Sequence, residues 1–206
     1  MTLHFFTGMG ADSRIWGDIA RVFPEGKFHN WSMPEPLDLG FTAYVAHVIE
    51  RHAISGDDWV IGVSLGAIVA AEMKNQIPSL RVIQISGCTT MQQLNLLVRM
   101  ASPLARVMPF GLMRWSPSGL LAGGKTRIIG EMYRACDKRF IRWACLHLMA
   151  WRGIDPARIE LAILGDRDLV FPLRRQRPHV VIPGGTHVML VSHNERIRDV
   201  ILARVS

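Results

Sequence analysis

The 206-residue sequence has no run of about 18 apolar residues, the length that a membrane-spanning helix needs. It has only three cysteines, Cys88, Cys136 and Cys145, too few and too irregularly spaced for a disulfide scaffold or a zinc ribbon. Its first residues lack the basic and apolar regions of a signal peptide. Hydrophobic residues make up 49% of the chain and charged residues 20%, a globular composition. We therefore expect a cytoplasmic protein with one core and no transmembrane segment.

Several ligand-binding motifs are also absent. The chain has no phosphate loop of the form G-x-x-x-x-G-K-[ST], no complete G-x-G-x-x-G dinucleotide loop and no H-E-x-x-H zinc motif. We therefore expect no cofactor and no metal. The net charge of +7 is concentrated in residues 88–158, which contain 11 Lys and Arg but only three Asp and Glu. Because no recognition motif accompanies this charge, nucleic-acid binding is disfavoured.

Short apolar runs alternate with helix-length amphipathic segments, a pattern that predicts βαβ units. This alternation indicates an α/β fold with a doubly wound, mostly parallel sheet of about six strands. The predicted strands are residues 3–7, 27–31, 59–63, 81–85, 159–164 and 179–182. The predicted helices include 13–22, 41–52 and 67–76, and a last helix that opens with Ser192 and Glu195 as a capping box.

The strand pattern stops for nearly 70 residues in the second half of the chain, far longer than an ordinary crossover. This gap predicts an inserted helical cap over residues 88–155, with the sheet domain formed by residues 1–87 and 156–206. Within the cap we expect one helix kinked at Pro103 and another that is capped by Asp137 and stopped by Gly153.

The sequence Gly62-Val-Ser64-Leu-Gly66 joins a predicted strand to a predicted helix. A serine at such a turn is held in a strained backbone conformation that projects its hydroxyl above the sheet. A simple tight turn between a strand and a helix would have the same sequence pattern. A nucleophilic serine needs a base and an orienting carboxylate. Two later strand ends supply them: the first carries Asp166 and Asp168, and the second carries His187. His179 and His193 are competing bases.

These motifs resemble those of the α/β-hydrolase superfamily, and the resemblance covers almost the whole chain. Its acid loop has the form G-x-x-D-x-x-x-P, as in residues 165–172, and its histidine turn has the form G-G-x-H, as in residues 184–187. The resemblance implies Ser64 as nucleophile, His187 as general base and Asp168 as the orienting acid. Asp166 stands only one residue after Gly165, and the family pattern places the acid three residues after it.

The turn Phe6-Thr-Gly-Met-Gly10 is similar to the family's H-G-x-G oxyanion loop, with threonine in place of histidine. By that resemblance, the backbone N–H groups of Met9 and Leu65 would stabilise the oxyanion. The resemblance also implies that the cap covers the nucleophile and selects the substrate. The cap holds six of the 11 methionines and several aromatic residues, which suit an acyl chain although packing alone would also explain them. The predicted substrate contacts are Met113, Trp115, Trp143 and Met149.

The basic cap is similar to that of the esterases that act on pimeloyl-acyl carrier protein methyl ester, which implies an acidic acyl carrier protein as a partner. We therefore expect a serine esterase that cleaves small-molecule or carrier-linked carboxylic esters, or acyl thioesters, through an acyl-enzyme. Two alternatives stay open. One is an acyltransferase or lyase of the same superfamily, and the other is a non-catalytic ligand-binding protein that keeps the hydrolase shell.

Overall fold

The computed structural model describes residues 1–107 and 126–205. Within these residues, six parallel strands form one sheet in the order β2-β1-β3-β4-β5-β6, which confirms the predicted α/β sheet. Each strand lies within two residues of its predicted bounds at either end. The strands are β1 (Leu3–Phe6), β2 (Lys27–His29), β3 (Trp59–Val63), β4 (Arg81–Ile85), β5 (Leu161–Gly165) and β6 (Val180–Ile182).

Helices cover both faces of the sheet, as the nearly continuous apolar strands require. One face packs against α2 (Phe41–His52) and α3 (Leu65–Gln76), together with residues of the cap. The other face packs against α1 (Asp18–Val22), α7 (Met189–Ser192) and α8 (Asn194–Val205). Because all strands run in the same direction, every β-to-α turn lies at one edge of the sheet. None of the helices in the described part of the chain is long and apolar enough to cross a membrane.

Two helix predictions were wrong in detail. The segment predicted as one helix over 13–22 is a 3₁₀ turn, Ser13–Trp16, followed by α1, because Gly17 between them has φ 50°. The predicted capping box is also incorrect, since Ser192 ends α7 and α8 begins at Asn194. The side chain of Asn194 donates to the carbonyls of Trp16 and Leu190, which ties the start of α8 to its neighbours.

Helices also follow β4, in the segment for which the sequence predicts a cap. They are α4 (Leu96–Ala101), α5 (Thr126–Ala135) and α6 (Lys138–His147). Pro103 lies in a 3₁₀ turn, Ser102–Arg106, that continues α4. Asp137 caps α6, and its carboxylate accepts from the backbone N–H of Arg139 at 2.8 Å. The α-helix ends at His147, earlier than predicted, and Gly153 instead adopts φ 88° beyond a 3₁₀ turn.

Two indole groups attach the cap to the sheet domain. Trp143 Nε1 donates to the carbonyl of Leu39 at 3.0 Å, and Trp151 Nε1 donates to the buried carboxylate of Glu72 at 2.9 Å. Phe140 and Trp143 also pack in the same apolar cluster as Tyr44 of α2. The end of the cap is therefore anchored through α3 and the segment that leads to α2.

Three histidines lie in contact near the β2 edge of the sheet: His4 in β1, His29 in β2 and His52 at the end of α2. His4 Nδ1 is 3.0 Å from His29 Nε2, and the rings of His29 and His52 are 4.0 Å apart between centroids. Asp58 lies 3.8 Å from His4 Nε2. Burial lowers the pKa of His4 to about 4 and that of His29 to about 3; the neighbouring histidines and Lys27 act in the same direction, and Asp58 opposes them at His4. Both imidazoles are therefore neutral in the folded protein at neutral pH.

Acidification below pH 6.5 is expected to destabilise the protein through these histidines. The unfolded chain takes up protons near pH 6.5 and the folded chain only near pH 4, so the free energy of unfolding falls as the pH falls across this window. For His4, the shift from 6.5 to about 4 corresponds to about 3 kcal/mol. Urea unfolding at several pH values would measure the slope. The slope should be shallower in His29→Gln and unchanged in the control His47→Gln; equal slopes in all three proteins would contradict the assignment.

Candidate active site

Ser64 forms the turn between β3 and α3. It has φ 55° and ψ −113°, a conformation that costs a non-glycine residue on the order of 1–3 kcal/mol. Its backbone N–H donates to the carbonyl of Ile85 at 2.9 Å, which holds the turn against the end of β4. Ser64 therefore lies in a strained strand-to-helix turn, residues 62–66, which is termed the elbow.

The glycines on either side of Ser64 allow this turn to pack closely. A Cβ atom on Gly66 would lie 2.3 Å from the carbonyl oxygen of Phe6, and one on Gly62 would lie 2.2 Å from the carbonyl carbon of Gly66. Both distances are far below van der Waals contact. At Gly66 the backbone of the elbow therefore rests directly on the end of β1, and at Gly62 strand β3 rests directly on the start of α3, so a side chain at either position would separate the backbones in contact.

Replacing Gly66 with alanine is expected to destabilise the fold by more than about 2 kcal/mol, because the added methyl group meets backbone atoms that cannot rotate away. Gly130 in α5 is the matched control, since a Cβ atom there has no neighbour within 4 Å. Gly130→Ala should be neutral or should stabilise the helix by about 0.5–1 kcal/mol. Thermal unfolding of both variants tests the difference, and equal effects would show that the close packing at Gly66 is unimportant.

His187 follows the glycine turn after β6. A Cβ atom on Gly165 would lie 2.1 Å from the carbonyl oxygen of Gly185, so the ends of β5 and β6 touch through glycine backbone. This contact brings the acid loop to the histidine. His187 Nε2 lies 2.9 Å from Ser64 Oγ, and His187 Nδ1 lies 3.0 Å from Asp168 Oδ2. With the carboxylate accepting from Nδ1–H, Nε2 is the nitrogen that can accept the Ser64 proton.

Asp168 is a buried carboxylate that accepts hydrogen bonds at both of its oxygens. Its Oδ1 accepts from the backbone N–H groups of Val170 and Phe171, each at 2.9 Å. Burial raises the pKa of this carboxyl, but His187 and the two N–H donors outweigh burial and bring the pKa below its ordinary value. Asp168 is therefore ionised at neutral pH and able to stabilise a positive charge on His187.

The competing residues have other contacts. Asp166 Oδ1 accepts from the N–H of Gly184 at 2.8 Å, so this carboxylate shapes the histidine turn. His193 Nδ1 lies 2.8 Å from Ser192 Oγ, and His179 Nδ1 accepts from the N–H of Ala162 at 2.9 Å. The geometry thus brings together the side chains of Ser64, His187 and Asp168.

The loop after β1 passes beside the Ser64 side chain. A Cβ atom on Gly8 would lie 3.4 Å from Ser64 Cβ. Thr7 is buried, and its hydroxyl donates to the carbonyl of Ala11 at 3.3 Å, which supports the loop in place of a histidine. Within the described residues, no hydrogen bond uses the N–H of Met9 or of Leu65. Both donors are therefore free, and their role towards an oxyanion stays a prediction.

The predicted substrate contacts are only partly described. Trp143 is buried and stacks on Phe140 and His147, so most of its surface serves packing. Met149 is partly buried and packs against the same apolar cluster. Trp115 and Met113 lie outside the described residues. A substrate role for all four remains a prediction.

Sequence reasoning did not identify Trp31 and Ser86. Trp31 Nε1 donates to the carbonyl of Gly8 at 3.3 Å and so helps to hold the loop beside Ser64. Ser86 is fully buried with φ 46°, and the pairing of β3 with β4 places it next to Ser64. A serine directly after a buried apolar strand was the available signal for Ser86, whereas nothing in the sequence pairs Trp31 with Gly8.

Among the described residues, no cluster of three His, Cys, Asp or Glu side chains is arranged to hold a metal ion.

Comparisons with known proteins agree with this architecture. Residues 3–200 match the model of a family described as the alpha/beta hydrolase family, and no curated protein matches the chain. A thermophilic esterase from Thermogutta terrifontis has a TM-score of 0.70 and 15% identity, over 98% of this chain and 88% of that one. MenH from S. aureus has a TM-score of 0.70 and 16% identity, over 100% and 93%. The enol-lactonase from Burkholderia xenovorans LB400 has a TM-score of 0.64 and 13% identity, over 99% and 91%. These likenesses show a shared fold.

Proposed function

The chain belongs to the alpha/beta hydrolase family, and we propose that it is a serine esterase that cleaves carboxylic esters through an acyl-enzyme. The observation that carries the proposal is the continuous hydrogen-bonded chain from Ser64 through His187 to Asp168. These three side chains come from three separate turns at one edge of the sheet. An uncharged serine hydroxyl is a weak nucleophile, and this arrangement is one that activates it.

The proposed acylation step uses the hydrogen bonds that join Ser64, His187 and Asp168. Ser64 Oγ attacks the ester carbonyl carbon while its proton passes to His187 Nε2, 2.9 Å away. The imidazolium that forms is stabilised by the Asp168 carboxylate. The negative charge on the carbonyl oxygen is stabilised by the free N–H groups of Met9 and Leu65. The C–O bond to the alcohol then breaks, and the alcohol leaves with the proton that His187 returns.

Deacylation uses the same groups with water as the acceptor. His187 Nε2 takes a proton from water, whose oxygen attacks the acyl carbon. The bond to Ser64 Oγ breaks, and Ser64 recovers its proton from His187. An acyl thioester would react through the same steps with a thiol as the leaving group.

The substrate is proposed to be a small-molecule ester with an apolar acyl group, bound between the sheet domain (residues 1–87 and 156–206) and the cap (residues 88–155). The apolar and methionine-rich composition of the cap supports this choice. Docking of an acidic acyl carrier protein on the basic cap stays a prediction. Part of that charge is neutralised within the cap, since Arg127 pairs with Glu131 and Arg139 pairs with Asp137.

The proposal is tested by intact-mass analysis after exposure to a fluorophosphonate, which reacts with activated serines. We expect one adduct per chain, and peptide mapping should place it on Ser64. Turnover of p-nitrophenyl esters of graded acyl length should then show an optimum that reports the depth of the acyl site. Absence of labelling on folded protein would favour the non-catalytic alternative. Transfer of the acyl group to an alcohol or thiol in preference to water would favour the acyltransferase alternative.

A further inference from the structure

The connection between β5 and β6 leaves part of the sheet without a helical cover. Parallel strands are usually joined by a helix that packs on the sheet. Here residues 166–179 contain no α-helix and only one 3₁₀ turn, Leu173–Arg175. A cavity of about 400 Å³ lies under this connection, and Ala162 and Leu164 of β5 form part of its wall.

The walls of this cavity carry uncompensated positive charge. Arg174, Arg175 and Arg177 line it, and none of its described lining residues is Asp or Glu. Within residues 1–107 and 126–205, none of the three guanidinium groups forms an ion pair. Three positive charges that share one concave surface repel each other, so an anion there would be favoured by all three.

The three arginines differ in the number of hydrogen bonds that their guanidinium groups form within the protein. Arg175 is fixed, because its guanidinium donates to the carbonyls of Leu94 at 2.8 Å and Gln92 at 3.3 Å. Arg177 makes only one hydrogen bond, to the adjacent carbonyl of Gln176, and Arg174 makes none among the described residues. Both side chains are exposed and keep most of their N–H donors free to bind a ligand.

The remaining walls add a donor and an apolar surface. His179 Nδ1 accepts from the N–H of Ala162, so in the neutral ring the proton is on Nε2, which is a donor. Pro156, Ala162 and Pro178 provide accessible apolar surface, and the cavity is several times larger than a phosphate ion. The fit is therefore to an anion that carries an organic group.

We propose that this cavity binds a small organic phosphate, with the phosphate between Arg174 and Arg177 and the organic group on the apolar wall. The planar guanidinium group matches phosphate oxygens with paired hydrogen bonds. Ser64, His187 and Asp168 do not line the cavity, so this site is separate from the proposed active site and does not depend on the proposed function.

Calorimetric titration with phenyl phosphate at low ionic strength tests the proposal, with inorganic phosphate as the comparison. We expect saturable binding of phenyl phosphate that is tighter than that of inorganic phosphate and weakens as salt is added. The double variant Arg174→Gln with Arg177→Gln should lose at least about tenfold in affinity, because two charged donors are removed. Arg175 is left intact because it holds the start of the cap.

Arg21→Gln is the matched control, since Arg21 is an exposed arginine on α1, on the opposite face of the sheet. It should bind phenyl phosphate as the native protein does. Absence of saturable binding, or equal affinity in the double variant and the control, would overturn the proposal. Equal affinity for phenyl phosphate and inorganic phosphate would overturn the assignment of an organic ligand.

Discussion

Replacing Ser64 with alanine is expected to reduce ester turnover by at least about 10⁴-fold, because the nucleophile is removed and only positioning and oxyanion stabilisation remain. Fluorophosphonate labelling should disappear completely. The fold should persist, since alanine is smaller than serine and the turn is held by backbone contacts, including the bond from the Ser64 N–H to Ile85. Retained turnover in this variant would remove Ser64 from the mechanism.

Ser86→Ala provides a control at the same edge of the sheet. Ser86 is also buried, also has a positive φ, and its hydroxyl has no partner among the described residues. Its replacement should leave turnover within about threefold of native, since no hydrogen bond to His187 or Asp168 is lost. Ser64→Gly should lack activity but be more stable than Ser64→Ala, because glycine accepts φ 55° without strain. Equal stability of the two variants would contradict the strain at the elbow.

Replacing Asp168 with asparagine is expected to lower kcat/KM by about 10³- to 10⁴-fold. The amide is isosteric with the carboxylate but uncharged. It can hold His187 in the wrong tautomer and cannot stabilise the imidazolium that acylation requires. The loss should appear mainly in kcat, because Asp168 is buried behind His187 and is expected to act only through that imidazole. Steady-state kinetics with a p-nitrophenyl ester would measure it.

Asp166→Asn is the paired control, two residues away in the same loop. Its side chain can still accept from the Gly184 N–H, so the histidine turn should keep its shape. We expect turnover within about threefold of native and a loss of stability below about 1 kcal/mol, as one charge-assisted bond becomes neutral. If Asp166→Asn proved as damaging as Asp168→Asn, the choice of acid made from motif spacing would be wrong.

Local sequence patterns predicted the parts of this protein that depend on near neighbours. The strands β3 and β4 have the predicted bounds, since a short run rich in β-branched residues next to a glycine turn favours a buried strand. The helix over residues 41–52 was also predicted correctly, because its apolar positions recur with helical spacing. The incorrect start of the last helix falls where a distant residue intervenes. Asn194 lies at the start of α8, and its side chain donates to the carbonyl of Trp16, far away in the sequence.

The sequence by itself determined that Ser64 lies at a strand-to-helix turn and that an acid and a histidine follow later strands, because each of these facts depends on adjacent residues. Motif spacing favours Asp168 over Asp166, but only the tertiary structure shows that Asp168 contacts His187 and that Asp166 contacts the N–H of Gly184. It also decided that Thr7 and Trp31 support the loop beside Ser64, and that the β5–β6 connection leaves an arginine-lined cavity. These contacts join residues that are far apart in the chain, and a linear pattern carries no information on how such segments meet in space.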